Sequence, residues 1–84
     1  MNVTYDEEVD VLTITLSNAP IVDSDEVKPG VILDYDAMGN TVSIELLDAS
    51  RRVDSLYSVS YDYARVKPNQ SNIDGISETT ALAA

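Results

Sequence analysis

Apolar and polar residues alternate in steps of two over much of the first fifty positions. Val3 and Tyr5 alternate with Asn2 and Thr4, a short strand pattern. Asp6-Glu7-Glu8-Val9-Asp10 reads as a polar connection. In Val11-Leu12-Thr13-Ile14-Thr15-Leu16, the residues Leu12, Ile14 and Leu16 fall on one face and Val11, Thr13 and Thr15 on the other. The β-branched content suits a pleated surface. Ser17-Asn18-Ala19-Pro20 ends the run. Asp23-Ser24-Asp25-Glu26 reads as a polar stretch, and Pro29-Gly30 as a turn or bulge. The clearest signal spans residues 31–47. Two β-rich runs flank a short loop in which Gly39 can accept φ > 0, which predicts a β-hairpin. Val42, Ile44 and Leu46 line one of its faces, and Thr41, Ser43 and Glu45 the other.

Beyond Asp48 the pattern supports two readings. Val53, Leu56, Tyr57 and Ala64 approach helical spacing, whereas Tyr57, Val59, Tyr61 and Tyr63 alternate strictly with Ser58, Ser60 and Asp62. The aromatic and β-branched content favours a strand here, joined to the hairpin by a short helical turn over residues 49–55. From Pro68 the chain turns to Asn, Gln, Ser, Thr and Gly, with too few apolar anchors to offset the entropy of ordering. The expected architecture is mainly β: one antiparallel sheet of four to five strands, with the hairpin at 31–47 and a short helix after 48. Residues 1–67 form a single small domain, and 68–84 a polar, flexible tail.

Length changes the picture because 84 residues make a thin core. A domain of this size buries roughly 60–65% of its unfolded surface. There is no cysteine, so neither a disulfide nor a thiolate-held zinc can reinforce it. A homodimer is another way for a small sheet to gain buried area. Met1–Asp6 lacks the basic start and apolar core of an export signal, and no apolar run approaches a membrane span of about 20 residues. The glycosylation patterns at Asn2 and Asn69 carry no weight without such a signal. The expected location is the cytoplasm. Fifteen acidic residues stand against five basic ones, a net charge of −10. That balance disfavours direct binding of nucleic acid or an anionic membrane, because no cationic surface exists to displace counterions. Basic proteins and cations are the electrostatically favoured partners.

Candidate chemistry is sparse. With no histidine and no cysteine, Ser–His and Cys–His nucleophiles and imidazole metal sites are excluded. Lys28 and Lys67 sit in no recognisable Ser–Lys or Thr–Lys motif. Asp6, Glu8 and Asp10 open like a calcium loop, but Val11 and Ser17 stand where that loop needs glycine and a bidentate glutamate. Asp34, Asp36 and Asp48 form a second candidate group, with Arg51 and Arg52 close behind to pair with acids. Antiparallel pairing would bring Asp34 and Asp48 to the same side of the sheet, where close carboxylates share a proton or hold a hard cation. The competing role for these aspartates is capping turns and the helical turn that follows. Tyr57, Tyr61 and Tyr63 are either a packing face or an interface, and a homodimer contact through them is expected. No cofactor is implied.

Tyr5-Asp6-x-Glu8-x-Asp10-x-Leu12-x-Ile14-x-Leu16 is followed by Val27-Lys28-Pro29-Gly30-Val31-Ile32-Leu33-Asp34-Tyr35-Asp36, Gly39 and Val42-Ser43-Ile44-Glu45-Leu46-Leu47-Asp48-Ala49-Ser50. In this order the segments resemble a widespread prokaryotic family of small proteins of unknown function, over about residues 3–52. The family usually carries a larger polar or aromatic residue where Thr13 and Thr15 stand, and the tyrosine-rich segment after Arg52 lies outside its pattern. The resemblance implies a compact antiparallel sheet with little room for a deep pocket and no established activity. Its reported neighbourhood with toxin-like genes implies an antitoxin-like role. The leading functional expectation is an acidic protein-interaction module, antitoxin-like toward a basic partner. The alternative is a cation- or small-ligand-binding β domain. A DNA mimic is disfavoured, since the acids scatter over turns instead of forming one long row. Catalysis is not expected, because a thin sheet rarely forms a water-excluding pocket.

Overall fold

The computed structural model describes residues 1–66. Within them, the alternating runs become five strands: β1 (Asn2–Asp6), β2 (Val11–Thr15), β3 (Asp23–Lys28), β4 (Val31–Tyr35) and β5 (Thr41–Leu47). A single 3₁₀ turn, η1 (Ala49–Arg51), follows β5. The strands make one antiparallel sheet in the order β1-β2-β5-β4-β3. Strands β3, β4 and β5 run as consecutive hairpins, and β2 returns beside β5, which is a Greek-key arrangement. The connection from β2 to β3 is held at both ends, by Leu16 N–H to Val42 O (2.7 Å) and Val22 N–H to Tyr35 O (2.8 Å). No helix among the described residues is long and apolar enough to cross a membrane.

Register sorts the side chains into rows, because residues paired directly across antiparallel strands share a face. On one face, Val3, Ile14, Ile44 and Leu33 form a row across the sheet, and Tyr5, Leu12, Leu46 and Val31 form the next. On the other face the rows are polar. One runs Asn2, Thr15, Ser43, Asp34, Ser24, and its neighbour runs Thr4, Thr13, Glu45, Ile32, Glu26. The pairing slips by one residue between Asp34 and Tyr35, placing a bulge at Val42. The slip is required by hydrophobic pattern. Counted from the loop without it, Leu33 would face Ser43 and Asp34 would face Val42.

The predicted hairpin at 31–47 is present as β4 and β5. Its loop closes with Gly39 at φ 84° and with Gly39 N–H donating to Asp36 O at 3.0 Å. Two features differ from the sequence reading. The stretch 23–26 lies within a strand, although every residue of β3 is exposed. Its ladder to β4 supplies the order that its side chains do not. Conversely, residues 57–63 form no strand, despite their alternation. A strand needs a ladder partner, and the N–H of Tyr57 bonds locally to Ser55 Oγ at 3.3 Å. The helical turn expected over 49–55 is confined to Ala49–Arg51. The tail expected at 68–84 lies outside the described residues.

Among the described residues the structure is one layer thick. Among the described residues, Val42 and Ala49 are the fully buried apolar side chains. All eight residues of the two apolar rows are only partly buried. A domain ordinarily pairs such a face with a second layer.

Candidate functional site

Asp34 is the most deeply buried large side chain, at 2% exposure. Its neighbours follow from register. Ser24 and Ser43 lie directly across from it on β3 and β5. Both hydroxyls donate to it, Ser24 Oγ to Oδ1 and Ser43 Oγ to Oδ2, each at 2.6 Å. Glu45 stands opposite Ile32, diagonal to Asp34 on the same face and within reach of it. The two carboxyl groups are placed to share a proton. Glu45 is pushed up to about 7 by its hydrogen bond to Asp34, by burial and by the charge of Asp34. Burial alone raises Asp34, but the hydrogen bonds from Glu45, Ser24 and Ser43 outweigh it and hold Asp34 below its ordinary value. The pair therefore holds one proton below about pH 7 and releases it above. Thr13 and Thr15 flank Glu45 and Ser43 in the same rows.

The three aspartates singled out from sequence do not converge. Asp36 sits in the hairpin loop, where its Oδ1 accepts the N–H groups of Met38 and Asn40, both at 2.9 Å. Those bonds, that of Asn40 foremost, hold its carboxyl low. This is the turn-capping role. Asp48 lies past the end of β5, in a left-handed conformation (φ 53°), at the N-cap position of η1 without a side-chain capping bond. Five residues separate it from Ser43, the partner of Asp34, or roughly 16 Å along a strand. No group of three or more acidic side chains among the described residues is arranged to hold a metal ion. Tyr57, Tyr61 and Tyr63 are all exposed, at 86%, 74% and 76%. Arg51 lies near Asp10. Arg52 donates to backbone carbonyls rather than acids, through Nε to Leu47 O (2.6 Å) and Nη2 to Pro29 O (2.7 Å).

Two clusters escaped the sequence reading. One is the Asp34–Glu45 pair, hidden because the bulge at Val42 changes which residues share a face. The signal that reveals it is the requirement that Val31 and Leu33 meet Leu46 and Ile44. The second joins Asp10 to Ser50, forty positions later. Asp10 accepts Ser50 N–H (2.9 Å) and Tyr5 Oη–H (2.8 Å) on Oδ1, and Ser50 Oγ–H (2.7 Å) on Oδ2. Ser50 and Tyr5 hold Asp10 below its ordinary value, and the bond to Asp10 pushes the Tyr5 phenol up to about 12. This cluster fastens the β1–β2 turn to the chain leaving β5.

The apolar face forms a groove at its β1–β2 end. There Val3, Tyr5 and Leu12 meet the segment 53–59 and leave a groove of about 440 Å³. Val53 and Leu56 are half-buried at its wall, while Tyr57 and Val59 are exposed.

No curated protein matches the chain, and no solved structure does. A family model described as "Protein of unknown function (DUF2283)" matches residues 2–50, which takes in all five strands, the Asp34–Glu45 pair and the Asp10–Ser50 cluster but not the segment 53–59. The chain belongs to this family.

Proposed function

We propose that the chain is an acidic protein-interaction module without catalysis of its own, whose expected mode is antitoxin-like inhibition of a basic partner. The observation that carries this reading is the one-layer sheet. Its two apolar rows are only half-covered, so a partner that completes the layer gains about 1 kcal/mol for each Leu, Ile or Val, about half the value for burial from full exposure. The charge of −10 selects a basic partner and accelerates its arrival. The alternative of a bound cation is less well supported, because both oxygens of Asp34 already accept hydroxyl donors. Homodimerisation through Tyr57, Tyr61 and Tyr63 is a companion proposal, supported by their exposure. It predicts that Tyr61→Arg lowers the mass in solution, and an unchanged mass would refute it.

The test is purification from the native cell at low ionic strength, followed by native mass spectrometry. A stoichiometric basic protein that is released at high salt supports the reading. The chain recovered alone, as a stable homo-oligomer with no other protein, overturns it.

A further inference from the structure

Resting on that reading, we propose that the groove between the β1–β2 end of the apolar face and residues 53–59 is where the partner docks, and that it takes a short aliphatic segment flanked by lysine or arginine. The walls define the aliphatic part. Val3, Tyr5 and Leu12 form the floor, and Val53, Leu56 and Val59 form one side. A volume of about 440 Å³ falls within the range of ligand-sized clefts.

The rim defines the charge. The β1–β2 turn beside Tyr5 carries Asp6, Glu7, Glu8 and Asp10, and the opposite wall carries Asp54. Asp6 adjoins the lining residue Tyr5 along the chain, and Asp54 lies between the lining residues Val53 and Ser55. Two arginines lie nearby, and neither reverses this balance. Arg52 is tied to the carbonyls of Leu47 and Pro29, and Arg51 stands beside Asp10. A second copy of the chain is a poor occupant of the groove itself, since it brings the same acidic rim, and the companion homodimer contact then rests on Tyr61 and Tyr63, which do not line the groove.

The wall's root is fixed by Val53 N–H to Ala49 O at 3.1 Å, and its other hydrogen bonds among the described residues are local ones among Ser55, Tyr57 and Ser58. Because the family match ends at residue 50, six of the nine residues lining the groove lie outside the matched region. Partner choice is therefore a property of this chain beyond what the family sheet supplies.

The experiment titrates the full chain into synthetic peptides that carry one tryptophan, a residue this chain lacks. One peptide alternates leucine and lysine, a second replaces lysine by glutamate, and a third replaces leucine by serine. Fluorescence anisotropy is read at low and high salt. Leu56→Asp and Val59→Asp alter the wall, outside every strand, and the double variant Glu7→Lys/Glu8→Lys alters the rim. Circular dichroism verifies that each variant keeps the sheet. The expected result is salt-sensitive binding of the leucine–lysine peptide alone, weakened roughly tenfold or more by each change. Equal binding by the wild type and all the variants would place the cationic peptide elsewhere and overturn the groove, leaving the interaction module standing. Failure of the wild type to bind that peptide also overturns the groove. The fate of the broader reading is decided separately, by the purification from native cells.

Discussion

Replacing Glu45 by glutamine isolates the proton shared with Asp34. In the folded chain Glu45 titrates at about 7, against an ordinary value of 4.5. Between those values the folded state holds the larger share of the proton. Stability therefore falls as pH rises through this window, and the loss is complete above pH 7. At about 1.4 kcal/mol per pH unit the full displacement corresponds to about 3 kcal/mol. Glu45 is partly exposed, and solvent screening reduces the expected loss to about 1–3 kcal/mol. Asp34 works in the opposite sense and in another window. Its contribution is present above 3.8 and is lost as pH falls through its lowered folded value. Asp10 and Asp36 follow Asp34, being lowered as well. The change between pH 5 and pH 8 thus belongs to Glu45. Glutamine keeps the shape and removes the titration. Chemical unfolding followed by circular dichroism at several pH values reads the effect. The variant should match the wild type near pH 5 and exceed it by about 1–3 kcal/mol near pH 8. At about 4–8 °C per kcal/mol, that is a readily measured rise in melting temperature. Parallel stability curves for the two proteins across this range would refute the shared proton.

Three further outcomes follow from the geometry. Gly30 has φ 78°, and a Cβ there would overlap the Arg52 guanidinium. Gly30→Ala should cost about 1–2 kcal/mol from the left-handed backbone, and more if Arg52 is displaced from its two carbonyls, as read by denaturant unfolding. Ser43→Ala leaves one buried oxygen of Asp34 without its hydroxyl donor and should destabilise by about 1–3 kcal/mol in the same assay. In Asp10→Asn the Tyr5 phenol should titrate well below its value of about 12, as followed by ultraviolet absorbance, with the remaining tyrosines as the reference.

Much of the sheet is legible in sequence where side-chain pattern and turn chemistry agree. Leu12 and Ile14 alternate on one face, and Gly39 marks the loop whose φ it satisfies. Strand β3 was not legible, because Asp23-Ser24-Asp25-Glu26 has no apolar face and owes its conformation to backbone pairing with β4. The segment with Tyr57, Tyr61 and Tyr63 shows the converse. Its alternation suits a strand, but it pairs with neither β1 nor β3, the edges of the sheet. The candidate site depended on one residue of register. Asp34 was legible as a residue of interest, but its partners were not, since the bulge at Val42 moves it from the row of Val42 to that of Ser43, diagonal to Glu45. The link from Asp10 to Ser50 spans forty positions and leaves no local signature.

On this reading the half-covered apolar face receives a basic partner. The most direct measurement is native mass spectrometry of the chain purified from its own cells, beside Leu56→Asp purified in the same way. The expected result is one stoichiometric basic protein with the wild type, released at high salt and lost from the variant. The wild-type chain recovered alone at low ionic strength, whether as monomer or as stable homo-oligomer, would contradict it.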